Sequence, residues 1–314
     1  MDFAQGLRAI EGARRIAVVG HLRPDADAVG SVCAVVLAMR ELGFEAVGAV
    51  GQTDPLSRSL LSIPGARDVV TPERLPDCDA AIVVDCADLQ RTGTCAEGLA
   101  ELDRVVVVDH HVSNPRFGTV NLVDPTAEST TVVLTRWFTA IGLELGAEIA
   151  HCLYAGLVTD TGSFRWGGPG MHDVAATLLA TGIDAQSISR DLLDQTDADS
   201  VRMIGRALGT IRAVPAGAHH LAVITADHQT VQTGSREAVE QLVDFVRAVD
   251  GTDVGVVMKE LEPGRWSLSL RSTRVDVAGV AAALGGGGHR AAAGVTLSGD
   301  RDGVLLRLVE VLRG

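Results

Sequence analysis

Aromatic residues, lysine and long apolar runs are scarce in this 314-residue chain, and each scarcity excludes something. Aromatics make up 3% of the residues: six Phe, three Trp and one Tyr. Proteins that hold long single strands offer several stacking platforms in succession, so a ligand one or two bases deep suits this chain better. Lysine occurs once, at Lys259, which leaves cationic contacts to phosphate mainly to arginine. The net charge of −13 argues against a long duplex partner, whose binding calls for a basic surface. No apolar run approaches the ~20 residues of a membrane span. The opening MDFAQGLRAIEGARR lacks the apolar stretch of a secretory signal, so the cytoplasm is the expected location and a membrane is not an expected partner. Five cysteines (Cys33, Cys78, Cys86, Cys95 and Cys152) form no CxxC pair, which disfavours a disulfide framework or a zinc ribbon. Cys86, although next to Asp85, reads as a small buried residue.

What remains is a folded chain with 46% hydrophobic and 21% charged residues, long enough for two domains. Residues 1–214 carry 17 basic and 28 acidic residues, and residues 215–314 carry 10 and 12, so the acid is concentrated in the first part. That part alternates strand-like and helix-like segments. RIAVVG (15–20), AVGAV (46–50), AAIVVD (80–85) and RVVVVD (104–109) are short β-branched runs. Helical patterns near 28–42, 129–141, 147–158 and 174–180 lie between or after them. This spacing predicts an α/β fold, a parallel sheet with helices on both faces, over residues 1–186. Ser187 to Ile211 reads as one long helix, giving a helical linker over 187–214. Residues 215–314 read as a smaller α+β domain, with strands at 221–225, 254–261 and 266–272 and helices at 236–249, 275–284 and 303–312. GGGG (285–288) is the one low-complexity tract.

The chemistry-bearing residues recur at one structural place. His21, Asp25 and Asp27 follow the first strand, Asp85 ends the third, and Asp109, His110 and His111 follow the fourth. Asp160 ends the helix that starts at Ala147. In an open parallel sheet, ligands bind outside the carboxyl ends of the strands. Imidazole and carboxylate without thiolate suit manganese or a similar divalent ion. Asp25, Asp27, Asp85 and Asp160 sum to −4, the charge that two divalent ions cancel; without cations they would raise one another's pKa values. Two ions ~3.5–4 Å apart can share a carboxylate, clamp a phosphate and lower the pKa of a bound water. An extended backbone at Asp25–Asp27 would aim these two side chains at different ions. Close backbone packing would explain Gly30. Ser129 and Thr130 read as a helix cap as readily as substrate contacts. Phe164 and Trp166 are candidates for base stacking or for the core, and Arg165 for a phosphate contact.

HLRPDADAVGS, VVDCAD, VVDHHVSN and GLVTDTGSF, in this order, resemble the motifs of the DHH phosphoesterase superfamily, named for the triplet Asp109-His110-His111. RSTRVDVAGVAAALGGGGHRAAAG is similar to the glycine-rich motif of the DHHA1 domain. Length and domain pairing are closest to the bacterial nanoRNase/pAp-phosphatase (oligoribonuclease-like) subfamily. The resemblance implies a DHH metal-binding domain over 1–186 and a DHHA1 substrate-binding domain over 215–314. It implies hydrolysis of short oligoribonucleotides (nanoRNA), of linear dinucleotides such as pApA, and of 3′-phosphoadenosine 5′-phosphate (pAp). It also implies two divalent ions, Mn2+ first with Mg2+ or Co2+ as alternatives, and a homodimer. One ion would be held by His21, Asp25 and Asp85, the other by Asp27, Asp85, His110 and Asp160. Asp85, Asp109, His110 and His111 are then the catalytic set. Arg271, Ser272, Gly286, Gly287, Gly288 and His289 are the substrate-binding set. The alternatives are a cyclic-dinucleotide phosphodiesterase (c-di-AMP or c-di-GMP) and, in a different class, a non-catalytic nucleotide sensor.

Overall fold

The structure is a computed structural model that describes residues 1–247 and 249–313. Ala248, inside the helix expected over 236–249, and Gly314, inside the expected C-terminal domain, lie outside the described residues. The chain divides into two compact units, Met1–Gln195 and Thr196–Gly314.

In the first unit the order is α1 (Ala4–Ala9), β1 (Arg15–Gly20), α2 (Ala26–Glu41), β2 (Glu45–Val50), β3 (Ala80–Val84), α3 (Ala96–Ala100), β4 (Val105–Asp109), β5 (Val120–Val123), α4 (Thr130–Ala140), α5 (Ala147–Asp160), α6 (Gly170–Leu179) and α7 (Ala185–Leu193). The five strands form one parallel sheet in the order β2-β1-β3-β4-β5. Successive strand residues point to opposite faces. Ile16, Val18, Ile82, Val84, Val106 and Val108 therefore enter the large core under α2, α4 and α5. Ala17, Val19, Ala81, Val83, Val105 and Val107 meet Cys86, Cys95 and Leu99 on the other face. Burial on both faces explains why these strands read as continuous apolar runs. Helices α2 and α5 pack tightly. A Cβ at Gly30 would lie 2.4 Å from the Cys152 carbonyl oxygen, and one at Gly156 would lie 2.3 Å from Asp27 Oδ1. Only hydrogen fits at either place.

The second unit comprises α8 (Ala198–Leu208), β6 (Arg212–Ala216), β7 (His219–Ala226), α9 (His228–Val231), α10 (Arg236–Arg247), β8 (Val254–Glu262), β9 (Arg265–Arg271), α11 (Val277–Ala283), β10 (Gly287–His289), β11 (Ala292–Ser298) and α12 (Arg301–Arg313). Its sheet runs β10-β11-β9-β8-β7-β6 and is antiparallel except between β7 and β8. Trp266, Leu268 and Leu270 join α11 and α12 in one core, while Ala222, Ile224 and Val257 meet α8 and α10 in the other.

Two expectations change. The single helix over 187–211 is two helices, because Asp197 accepts hydrogen bonds from the amides of Asp199 and Ser200 and caps a new helix there. Helix α7 packs on α5 and α8 packs on α10, so each half belongs to its own unit. The glycine tract is partly the edge strand β10, paired with β11. A Cβ at Gly286 would lie 2.2 Å from the Gly294 carbonyl oxygen, and one at Gly288 would lie 2.5 Å from Ala293 Cα. These two glycines are needed by the sheet itself, whereas Gly287 has open space around its Cβ position.

Candidate metal centre

The strand order 2-1-3-4-5 reverses direction between β1 and β3, and ligands of such sheets bind at that switch point. His21 follows β1 and Asp85 follows β3, so both stand beside the crevice. Asp85 has φ 56° and is 2% exposed. Its Oδ2 lies 3.4 Å from His21 Nε2, and its Oδ1 lies 3.7 Å from His110 Nε2 and 3.7 Å from His111 Nδ1. The Thr130 hydroxyl donates to Oδ1 at 2.9 Å.

Helix ends place the other carboxylates. Asp25 is the N-cap of α2; its Oδ1 accepts from the amides of Asp27 and Ala28, and its Oδ2 lies 3.8 Å from His21 Nε2. Asp27 lies in the first helical turn rather than on extended backbone, and it still diverges from Asp25. Its two oxygens accept the amides of Thr130 (2.7 Å) and Thr131 (3.0 Å), so a fully buried carboxylate sits on the N-terminus of α4. Ser129 caps the same helix through Val132 N. Asp160 closes α5 with Oδ2 3.7 Å from His110 Nε2.

Asp109 is buried and fully engaged. Oδ1 accepts from the His110 amide at 2.8 Å and lies 2.7 Å from His111 Nδ1; Oδ2 accepts from Asn114 Nδ2 at 2.6 Å. A carboxylate only accepts, so Nδ1 of His111 carries the hydrogen and the ring's orientation is set. Thr130, read in the sequence as a helix cap or a substrate contact, instead holds Asp27 and Asp85; Asn114 carries no signal there, being a common polar residue in a turn.

Three trios of donor atoms each fall within 4.8 Å of one another: His21, Asp25 and Asp85; Asp27, His110 and Asp160; and Asp85, His110 and His111. The electrostatics indicate missing positive charge. Burial and then the charge of Asp85 raise Asp27 to about 7, despite its two amide hydrogen bonds. Burial, then Asp27, Asp25 and Asp85, push Asp160 well above the carboxylate range. Burial alone would lower His21, but its hydrogen bond to Asp85 and the charges of Asp25 and Asp85 lift it to about 9. Burial would raise Asp85, yet His21 first, then His110 and His111, hold it at about 2. The oxygen and imidazole donors, their spacing and this charge imbalance fit divalent cations.

A pH dependence follows. The raised values of His21, Asp27 and Asp160 oppose cation binding, which needs all three deprotonated. Loading with Mn2+ at pH 7 is therefore expected to expel at least one proton per chain, and affinity should rise as pH climbs from 6 to 9. Calorimetric titrations in two buffers of different ionisation enthalpy measure this; an affinity flat over that range would contradict it. Asp109→Asn places an amide where two donors already converge. It is expected to cost roughly 10–100-fold in kcat/KM, and an unchanged rate would remove Asp109 from the site.

The C-terminal candidates divide. The Ser272 hydroxyl donates to the Asp253 carbonyl and accepts the amides of Arg274 and Val275. These three bonds make it a fastener of the turn after β9. Arg271 is half-buried, burial lowers its pKa, and Nη1 donates to the Leu270 carbonyl. His289 ends β10. In the first unit, Phe164 stacks on His172 with centroids 5.6 Å apart and packs, half-buried, against the core. Arg165 lies over the Trp166 ring at 4.6 Å, and its Nε donates to the Gly162 carbonyl. Among the described residues no helix is long and apolar enough to cross a membrane.

The sequence profile of the DHH family N-terminal domain matches residues 15–157, and that of the DHHA1 domain matches residues 225–313. The bifunctional oligoribonuclease and PAP phosphatase NrnA of Thermus thermophilus is 34% identical over 316 residues, covering 99% of this chain and 92% of that protein. NrnA of Bacillus subtilis is 26% identical over 88% of this chain and 87% of its own. The cyclic-di-AMP phosphodiesterase GdpP of Geobacillus thermodenitrificans is 28% identical over 90% of this chain but 45% of its own length. The crystal structure of an exopolyphosphatase-related protein from Bacteroides fragilis superposes with a TM-score of 0.87 at 21% identity, over 99% of this chain and 95% of that one, and shares the fold. With its Asp109-His110-His111 triplet at the carboxyl edge of the parallel sheet, the chain belongs to the DHH–DHHA1 phosphoesterases, in the nanoRNase/pAp-phosphatase subfamily.

Proposed function

We propose that this chain is a metal-dependent phosphoesterase that hydrolyses short oligoribonucleotides and linear dinucleotides and removes the 3′-phosphate of pAp. The observation that carries the reading is the convergence of His and Asp donors from β1, β3, β4 and α5 around Asp85. His21, Asp25 and Asp85 would hold one divalent ion, and Asp27, Asp85, His110 and Asp160 a second. Mn2+ is the first candidate because the donors mix imidazole with carboxylate. Two such ions supply a nucleophilic water and charge neutralisation at a phosphate.

The remaining chemistry belongs to the chain. Burial would lower the His111 pKa, but the hydrogen bond to Asp109 and the charges of Asp85 and Asp109 raise it above its ordinary value. With Nδ1 committed to Asp109, Nε2 is the atom that can pass a proton to the leaving ribose oxygen. Thr130 fixes Asp85 through its hydroxyl and Asp27 through its amide, so one helix end positions two carboxylates. Arg271, His289 and the open backbone at Gly287 are the proposed substrate contacts of the second unit. A homodimer in the cytoplasm belongs to the same reading, on the strength of the family resemblance.

A substrate panel with Mn2+ tests it: pAp, pApA, 2–10-residue RNA, c-di-AMP and c-di-GMP. Turnover of pAp and of the shortest RNAs is expected, with chelator abolishing it. Preference for a cyclic dinucleotide would replace the reading with the phosphodiesterase alternative. Nucleotide binding without hydrolysis would leave a sensor.

A further inference from the structure

We infer that Arg91 is a substrate-binding residue whose guanidinium grips the phosphate that undergoes hydrolysis; this rests on the phosphoesterase reading above. Arg91 lies in the 3-10 segment Leu89–Cys95 that follows Asp85, a segment capped by Asp88. Its backbone is tied to the carboxyl edge of the sheet. The Leu22 amide, next to His21, donates to the Arg91 carbonyl at 2.7 Å, and the Thr94 amide donates to the Gly51 carbonyl at 3.0 Å. Thr92 between them is fully buried, with its hydroxyl donating to the Leu89 carbonyl.

The side chain behaves differently from this anchored backbone. It is exposed, and among the described residues its guanidinium forms no hydrogen bond or ion pair, although the neighbourhood is rich in carboxylates. The bond from the Leu22 amide holds the Arg91 backbone beside His21, at the edge of the crevice.

Charge balance says what it waits for. Two divalent ions cancel Asp25, Asp27, Asp85 and Asp160. A phosphodiester then adds −1 and a terminal phosphate up to −2, which Arg91, a cation of the first unit, is placed to offset. A planar guanidinium offers paired N–H donors that match two non-bridging phosphate oxygens. Acting on the reacting phosphate, Arg91 serves every substrate equally, whatever the base or chain length.

The experiment uses the full-length protein loaded with Mn2+, as wild type, Arg91→Ala and Arg91→Lys. Kinetics are measured on pAp and pApA, and binding of inorganic phosphate is measured by calorimetry, which needs no turnover. Arg91→Ala is expected to lose roughly 10²-fold in kcat/KM on both substrates. Phosphate binding should weaken by at least about tenfold, with Mn2+ stoichiometry and melting temperature unchanged. Arg91→Lys should recover only part of the loss, because an ammonium group cannot fork. Wild-type rates and wild-type phosphate affinity in Arg91→Ala would overturn the inference, as would a loss that tracks lower metal content or stability, or a loss confined to one substrate. A wild type that binds phosphate but hydrolyses nothing would defeat the phosphoesterase reading; weakened phosphate binding in Arg91→Ala would then still support the contact.

Discussion

Asp85→Asn is expected to lower kcat/KM on every phosphoester substrate by on the order of 10³-fold, above the 10–100-fold cost of losing an outer partner of a metal ligand. The reason is position. Asp85 faces His21 through one oxygen and His110 and His111 through the other, so its carboxylate is common to both proposed ion sites. An amide keeps the shape and can still accept the Thr130 hydroxyl, but it carries no charge to share between two cations. The choice of Asn matters. Asp85 has φ 56°, in the left-handed region that Asn tolerates and most other residues resist at a cost of ~1–2 kcal/mol. Asp85→Ala would mix backbone strain with the chemical loss. For Asp85→Asn, circular dichroism is expected to match wild type, so the lost rate can be assigned to the site. Retention of more than a tenth of the wild-type kcat/KM would remove Asp85 from the centre.

The second large effect comes from a residue with no side chain. Gly156→Ala would put a methyl group 2.3 Å from Asp27 Oδ1 and 2.6–2.7 Å from Thr131 Cγ2 and Oγ1. Alanine gains ~1 kcal/mol of helix propensity in the middle of α5, but overpacking of a tight interior costs ~1–3 kcal/mol. Here the neighbour cannot rotate away, because Asp27 is pinned to the amides of Thr130 and Thr131. The expected result is a net loss of stability of up to about 2 kcal/mol and a fall in kcat/KM of roughly 10²-fold from displacement of a ligand. Urea unfolding and steady-state rates measure the two together. A variant at least as stable as wild type with full activity would show that α2 and α5 have more room than the structure gives them.

These two residues also show what can be read in a sequence of this kind. Asp85 is legible because it ends a β-branched run, and chemistry at strand ends is a local pattern. The same holds for His21, Asp109, His110 and the strands that carry them, and it extends to a two-unit α/β and α+β chain. Gly156 is not legible, since its necessity comes from Asp27, far away in sequence, crossing over α5. Capture of Asp27 by the N-terminus of α4 is long-range in the same way, and the Thr130 hydroxyl bond to Asp85 with it. The break at Asp194–Asp197 lay within a pattern that reads as one helix until the cap at Asp197 is taken as decisive. β10 escapes notice because glycine carries no alternation, and the three local partners of the Ser272 hydroxyl emerge only in the fold. Arg91 sits on a short 3-10 turn with no periodicity and becomes conspicuous only beside His21.

Manganese titration of chelator-stripped protein, followed by calorimetry at pH 8, tests the metal centre most directly. Two ions per chain are expected for wild type, with Asp85→Asn losing at least one of them and phosphoester hydrolysis appearing only as the sites fill. Hydrolysis at full rate in the stripped protein, or two ions bound as tightly to Asp85→Asn as to wild type, would contradict it.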